Sequence, residues 1–396
     1  MPHERRRGKT PVALPDAVTS LVGNNRRMST GTPESDRRDR ARAGSTRFVQ
    51  GEAPVGVSDR LRSLADTARS PVPDRYGESG ELADLEREVA ALLGKPAAVF
   101  MPSGTMAQQC ALRVWTDRTG HRAVGVHALS HLVQHEENAL EVLHGVRMDH
   151  LTSERRPLTV DDLANTSGPL GALCIELPLR DAGHLLPTWD ELAALARAAH
   201  DGGTPVHVDG ARLWESQPFY GRSHAEIAAL ADTVYVSFYK GLGGIAGAAL
   251  AGPADVVDAC RHWQHRHGGT LYALYPYAVA ARQGLSRLDA FGSYGARARE
   301  LADELAGVPG LRTHPSPPQT NAFVLYADVP AAALDEAALQ LAETSATWAL
   351  GRVAEADVPG WAATEVVVGP ATMAWSVPEL VEVLAGLVER ARQTAR

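Results

Sequence analysis

Only three of the 39 basic side chains are lysines, Lys9, Lys95 and Lys240; the other 36 are arginines. A chain that uses arginine wherever a cation suffices raises a chemical question at each lysine. An amine can deprotonate and form a Schiff base, whereas a guanidinium cannot. Lys240 follows the apolar, β-branched run Thr233-Val-Tyr-Val-Ser-Phe and precedes Gly241-Leu-Gly-Gly-Ile-Ala-Gly247. Burying an ammonium is costly, so a lysine in this setting titrates low or reacts. The glycines behind it let the backbone pass close to a bulky flat group. Lys95 sits at the helix stop Gly94-Lys95-Pro96, and Lys9 lies in a basic head.

Three further groups carry chemistry. Asp209, in Val206-His-Val-Asp-Gly-Ala-Arg212, closes an apolar run and stands where open α/β sheets bind ligands. It could ligate a metal, pair with Arg212, or hold a protonated heterocyclic nitrogen. Ser103-Gly104-Thr105 forms a turn between a short strand and a helix, where free N–H groups and the helix dipole favour a phosphate. His127, His131 and His135 recur at i, i+4 and i+8. That spacing raises zinc, but it is not the His-Glu-x-x-His of metalloproteases. A flat imidazole stacked on a flat cofactor is the other functional reading, and no metal is expected. Gly241-x-Gly243-x-x-Ala246 matches a dinucleotide fingerprint. It lacks the acidic residue closing a second strand about 20 residues on.

Positioning these residues requires an alternating scaffold. Apolar residues at 82, 85, 89, 92 and 93 predict a helix over 81–93. Strands are expected at 97–101, 171–177, 205–208 and 233–238, with helices after 102–105 and over 189–200. The alternation argues a mainly parallel α/β sheet. A helix over 285–306, the break Pro315-Ser-Pro-Pro318, strands at 322–326 and 364–368 and a helix over 377–394 predict a smaller α/β unit. The expected organisation is a disordered basic extension over 1–47, a large ligand-binding domain over 48–308 and a small C-terminal domain over 309–396. Residues 1–47 carry 11 basic against 5 acidic side chains, and the remainder carries 28 against 42. Met28 is an alternative start.

Composition narrows the classes. The 396 residues, 44% hydrophobic and 22% charged, are those of an ordinary globular chain. No apolar run approaches the ~18 residues that span a bilayer, and no signal peptide is expected. Cys110, Cys174 and Cys260 lie far apart, which fits a reducing cytoplasm rather than a disulfide scaffold or a cysteine zinc site. The net charge of −8 argues against nucleic acid as the main partner.

The order of phosphate turn, histidine, strand-end Asp-x-x-Arg and strand-end lysine resembles a fold-type I (aspartate aminotransferase-like) pyridoxal phosphate (PLP) enzyme. More narrowly, the chain is similar to the threonine aldolase/β-eliminating lyase family. The matching residues are Tyr76-Gly-Glu78, Pro102-Ser-Gly-Thr-Met-Ala-Gln108, Ser130-His131, Glu136, His207-Val-Asp-Gly-Ala-Arg-Leu213, Lys240-Gly-Leu-Gly, Gly268-Gly269 and Thr320-Asn321. The resemblance implies that Lys240 holds PLP covalently and later shuttles protons. It implies that Asp209 keeps the pyridine nitrogen protonated and that Ser103, Gly104 and Thr105 take the phosphate. His131 would stack on the ring and act as base, and Arg212 would contact the cofactor and grip the substrate carboxylate. Arg266, in Arg261-His-Trp-Gln-His-Arg-His267, would reach a neighbouring subunit's phosphate site, which requires at least a homodimer, or a homotetramer.

The departures fall mainly on the substrate side, and one, at 176–178, removes a polar cofactor contact. The family's opening Asp-Leu-Arg-Ser-Asp-Thr is Phe48-Val-Gln-Gly-Glu52 here, and its Glu-Asn-Thr is Glu176-Leu-Pro178. Its Gly-Gly-Gly-Met-Arg is Gly268-Gly-Thr-Leu-Tyr272, and its C-terminal arginine has no counterpart near Thr364–Val368. The expected function is retro-aldol cleavage of a β-hydroxy-α-amino acid to glycine and an aldehyde. β-Elimination or β-replacement is the rival within the class. A nicotinamide oxidoreductase and a non-catalytic PLP-fold protein are rivals outside it.

Overall fold

The structure, a computed structural model, describes residues 33–394. The expectations placed on Met28 and on the rest of 1–32 lie outside these residues. The described chain begins with α1 (Pro33–Gly44), β1 (Arg47–Phe48), α2 (Val57–Thr67) and α3 (Gly80–Leu92). In α3 the spaced Leu82, Leu85 and Val89 are fully buried, each contributing about 2 kcal/mol of apolar burial.

Seven strands form the large sheet: β2 (Ala97–Met101), β3 (Ala123–His127), β4 (Arg147–Thr152), β5 (Ala172–Glu176), β6 (Val206–Gly210), β7 (Thr233–Ser237) and β8 (Ala248–Gly252). Their spatial order is β2-β8-β7-β6-β5-β3-β4. β8 runs antiparallel to both neighbours, and the other pairs are parallel. Helices cover both faces, which is why most of these strands read as apolar runs; the edge strand β4 is polar and partly exposed.

α4 (Gly104–Thr119) follows β2 directly. The Ser103 side chain caps it by accepting from the Met106 N–H at 3.2 Å, and Gly120 ends it in the left-handed region at φ 75°. Such a cap is worth about 1 kcal/mol. α4 packs on the sheet through Ala107, Cys110, Ala111 and Val114, which share a core with Tyr235 and Leu250. Side chains alternate along a strand, so His207 and Asp209 of β6 share a face with Thr233, Tyr235 and Ser237 of β7. That face meets α4.

The smaller unit holds β9 (Leu311–His314), β10 (Ala322–Ala327), β11 (Thr347–Trp348), β12 (Val353–Glu355) and β13 (Ala362–Val367). Its antiparallel sheet has the order β12-β13-β10-β9. The helix Val377–Thr394 buries Leu380, Leu384 and Leu387 against Phe323, Leu325 and Val366. Val49 and Ala298, Leu301 and Leu305 of the helix Ala290–Ala306 join the same core. The small unit therefore draws on residues well before the boundary expected at 309. The helix expected over 285–306 begins at Ala290 and ends at Ala306, and a separate helix, Tyr275–Leu285, precedes it.

The disorder expected over 1–47 does not extend to its last third. α1 docks on the helix Ala331–Ser345: Arg37 pairs with Glu336 and Glu343, both at 2.7 Å, and Arg38 with Asp335 at 2.5 Å. Ala41 packs with Leu339 and Ala342. β1 pairs in parallel with β11, and Arg47 lies 3.6 Å from the Trp375 ring centroid. Low hydrophobicity predicted no core for this segment. Its arginines instead find acids and indole faces far along the chain, and charge counting over one window does not register those partners.

Candidate active site

Lys240 lies three residues beyond β7, where Phe238 is fully buried beneath it. Desolvation pushes its amine below the ordinary lysine range, against the pull of Asp209 and together with the repulsion of Arg212. Among the described residues the amine makes no hydrogen bond or ion pair. Lys95, by contrast, is anchored through its Nζ to the Ala231 carbonyl.

Asp209 ends the buried run of β6 and is 2% exposed. Its Oδ1 accepts the Ala211 N–H at 3.0 Å, and its Oδ2 accepts from Gln108 Nε2. Glu176 stands beside it, in register on β5. Burial, then the neighbouring Asp209, raises the Glu176 carboxyl to about 7. Glu176 accepts the His131 N–H at 2.7 Å and the Arg180 N–H at 3.1 Å.

His131 opens a short helix, His131–Gln134. Burial opposes its charge, but the 3.2 Å contact from Nδ1 to the buried Glu136 carboxylate raises it above the ordinary histidine value. Lys240 and Asp209 both act on it electrostatically. The three spaced histidines do not share a helix face. His127 ends β3 and contacts the Glu154 carbonyl at 2.9 Å, and His135 binds Asp181 at 2.8 Å.

The turn at Ser103–Thr105 joins β2 to α4, as the sequence implies. Ser103 caps, and Gly104 and Thr105 open α4. Gly104 has to be glycine, because a Cβ there would strike the Tyr235 hydroxyl. The Tyr235 phenol therefore stands at the N-terminus of α4, with the Ser237 hydroxyl beside it. Reading the sequence did not single out Tyr235 or Ser237, nor Gln108, His207 and Glu176 as side chains of the site. The period of two along 233–237 and 207–209 could have found those on the strands.

A cavity of about 450 Å³ opens beside Lys240 and Arg212 and is also lined by Gln50, Arg287, Asn321 and Arg352. Arg212 is held by Glu215 at 3.2 Å and lies 3.9 Å from Glu365. Glu365 occupies the stretch where no arginine was found, and binds Arg180 at 2.8 Å and His184 at 2.6 Å. Arg266 does not join this site within one chain. It ends the helix Ala254–Arg266, is exposed, and lies 4.5 Å from the Trp263 ring centroid. The Gly241–Ala246 fingerprint opens no helix and is a bent loop.

The donor set fits PLP: a desolvated amine, a buried carboxylate, an imidazole near both, and a helix N-terminus flanked by two hydroxyls. A parallel sheet with this site at its carboxyl ends is the fold of fold-type I PLP enzymes. The family model described as Beta-eliminating lyase matches residues 68–329, and the chain belongs to this family. It is similar to a structure from Listeria monocytogenes titled as a putative L-allo-threonine aldolase, with 36% identity, TM-score 0.84 and coverage of 90% of this chain and 99% of that one. A putative aromatic amino acid beta-eliminating lyase/threonine aldolase from Exiguobacterium sp. 255-15 gives 36% identity, TM-score 0.83 and the same coverage. Among curated proteins, an aldolase from Penicillium aethiopicum is 31% identical over 63% of this chain and 66% of its own length. The chain thus spans just under two thirds of that relative. Among the described residues, no helix is long and apolar enough to cross a membrane.

Proposed function

We propose that this chain is a PLP-dependent lyase that cleaves a β-hydroxy-α-amino acid of the threonine type to glycine and an aldehyde. The observation that carries the proposal is the desolvated, unpaired Lys240 amine beside buried Asp209 and the Glu136-held His131. PLP bound here supplies an electron sink for the charge released at Cα. Lys240 would hold it, Asp209 would serve its ring nitrogen, and Ser103, Gly104, Thr105, Tyr235 and Ser237 would take its phosphate. His131 would pack against the cofactor and take the proton of the substrate β-hydroxyl, with Glu136 holding the imidazole in orientation. Arg212 grips the carboxylate, the role for which a guanidinium fork is suited.

The working unit in this reading is a homodimer or larger. Tyr76, Leu271, Tyr272 and Tyr275 are exposed and adjoin one another, with the Tyr76 and Tyr272 rings 5.4 Å apart. In this reading a second copy covers them, and the exposed Arg266 is the candidate to reach a neighbouring subunit's phosphate site. Three buried free cysteines support a reducing cytoplasm. The test is a panel of β-hydroxy-α-amino acids incubated with PLP-loaded enzyme. Equal release of glycine and aldehyde is expected. Ammonia and an α-keto acid without glycine would instead mean β-elimination.

A further inference from the structure

Behind Asp209 runs an unbroken chain of hydrogen bonds, buried from Thr233 inward. Trp115 Nε1 donates to Thr233 Oγ1 at 2.9 Å. Thr233 Oγ1 contacts His207 Nδ1 at 2.9 Å, and His207 Nε2 contacts Gln108 Oε1 at 2.9 Å. Gln108 Nε2 then reaches Asp209 Oδ2. His207 and Thr233 are wholly buried, and Gln108 is 1% exposed. The members come from β6, β7 and one side of α4, where Gln108 and Trp115 lie seven residues apart, two turns along the helix.

The Asp209 end of the chain fixes its direction. The indole N–H donates to Thr233, and the Gln108 amide nitrogen, which has only hydrogens to give, donates to Asp209. With Trp115 donating to its oxygen, the Thr233 hydroxyl is free to give its hydrogen to His207 Nδ1. His207 then carries its proton on Nε2 and donates to the Gln108 carbonyl. That orients the amide with its NH2 toward Asp209. Starting from Asp209 and working outward gives the same assignment at every link. Burial also holds His207 neutral, lowering it to about 4, so the chain adds direction without adding charge.

We propose that Trp115, Thr233 and His207 are positioning residues that lock the Gln108 amide as a donor to Asp209, and so hold that carboxylate in place for the PLP ring nitrogen. An unlocked amide would present its carbonyl to the carboxylate in part of the population, replacing attraction by repulsion. The proposal rests on the reading that Asp209 faces the cofactor, and its test separates the two.

The first measurement uses the apoprotein. Nitrogen-15 shifts of His207 are expected to show a neutral ring protonated on Nε2 from pH 7 down to about pH 5. Protonation on Nδ1, or a charged ring at pH 7, would overturn the relay. The second measurement is PLP affinity by titration of apoprotein. T233V removes the donor at nearly constant volume and is expected to weaken PLP at least about tenfold, the scale of a hydrogen bond to a charged group. T233S is expected to restore affinity to within about twofold. If T233V does not fold, Trp115→Phe carries the test, with a weakening in the same direction. PLP affinity equal to that of the parent in a folded T233V or W115F rejects the relay. A parent chain that takes up no PLP rejects the cofactor reading itself, whatever the His207 tautomer.

Discussion

The two walls around Lys240 are built in different ways. On the α4 side, the polar groups come from β6, β7 and one helix, and most are buried: Asp209, Gln108, His207, Tyr235 and Ser237. On the cavity side, the lining is gathered from residues as far apart as Arg38, Gln50, Arg287 and Arg352, on loops, α1 and the small unit. The first wall follows from the geometry of regular elements. The second depends on how the large sheet and the small unit meet. In the proposed function the first wall holds the cofactor by local rules, and the second, which would meet the substrate, can change without disturbing it.

Four outcomes would break or sharpen that contrast, the largest first. Lys240→Ala is expected to abolish PLP-dependent turnover, a loss of at least about 10³-fold, with the far-ultraviolet dichroism unchanged. Asp209→Ala is expected to cost about 10²-fold or more in kcat, and less in melting temperature than in rate. Unchanged turnover in this variant would mean that the α4 wall is not the cofactor wall.

The third outcome concerns pH. The Glu176 carboxyl is raised to about 7 by burial and by Asp209. A carboxyl with a raised folded value favours the native state most below its unfolded value of about 4.5, and that support is lost as pH rises to about 7. Against Glu176→Gln, the parent should therefore lose up to about 3 kcal/mol between pH 4.5 and 8. Urea midpoints at the two ends of this range measure the difference. A pH-independent difference would show that Glu176 is ionised throughout.

The smallest effect lies on the cavity side. Deleting residues 1–45 removes α1 and its pairs to Glu336, Glu343 and Asp335, and is expected to lower the melting temperature by a few degrees. Arg37→Ala alone should cost about 1–2 °C, because its pairs are partly exposed. No change on deletion would mean that α1 does not support the cavity wall.

Strands β2, β5, β6 and β7 were legible because they are buried and bounded by turns, whereas β3, the partly exposed edge strand β4 and the Ala- and Gly-rich β8 were not. Lys240, Asp209 and Ser103–Thr105 were legible because each stands at an element boundary with chemistry that a generic surface does not need. Their partners were not. His207 reads as one more residue of a strand, and Gln108 as one more of a helix, until the sheet places them together. α1 was read as disordered because its partners, Glu336 and Trp348, lie some 300 residues away. Glu365 could be seen only as a missing arginine. Its grip on Arg180 and His184 requires the small unit to be in place.

The central claim is that Lys240 is the residue that carries PLP, and the scarcity of lysine makes the test clean. Purified protein is incubated with PLP, reduced with borohydride, digested and mapped by mass spectrometry. The account predicts one phosphopyridoxyl label, on the peptide bearing Lys240, and none in Lys240→Ala. Labelling on Lys95 in the parent, or no label at all, would contradict it.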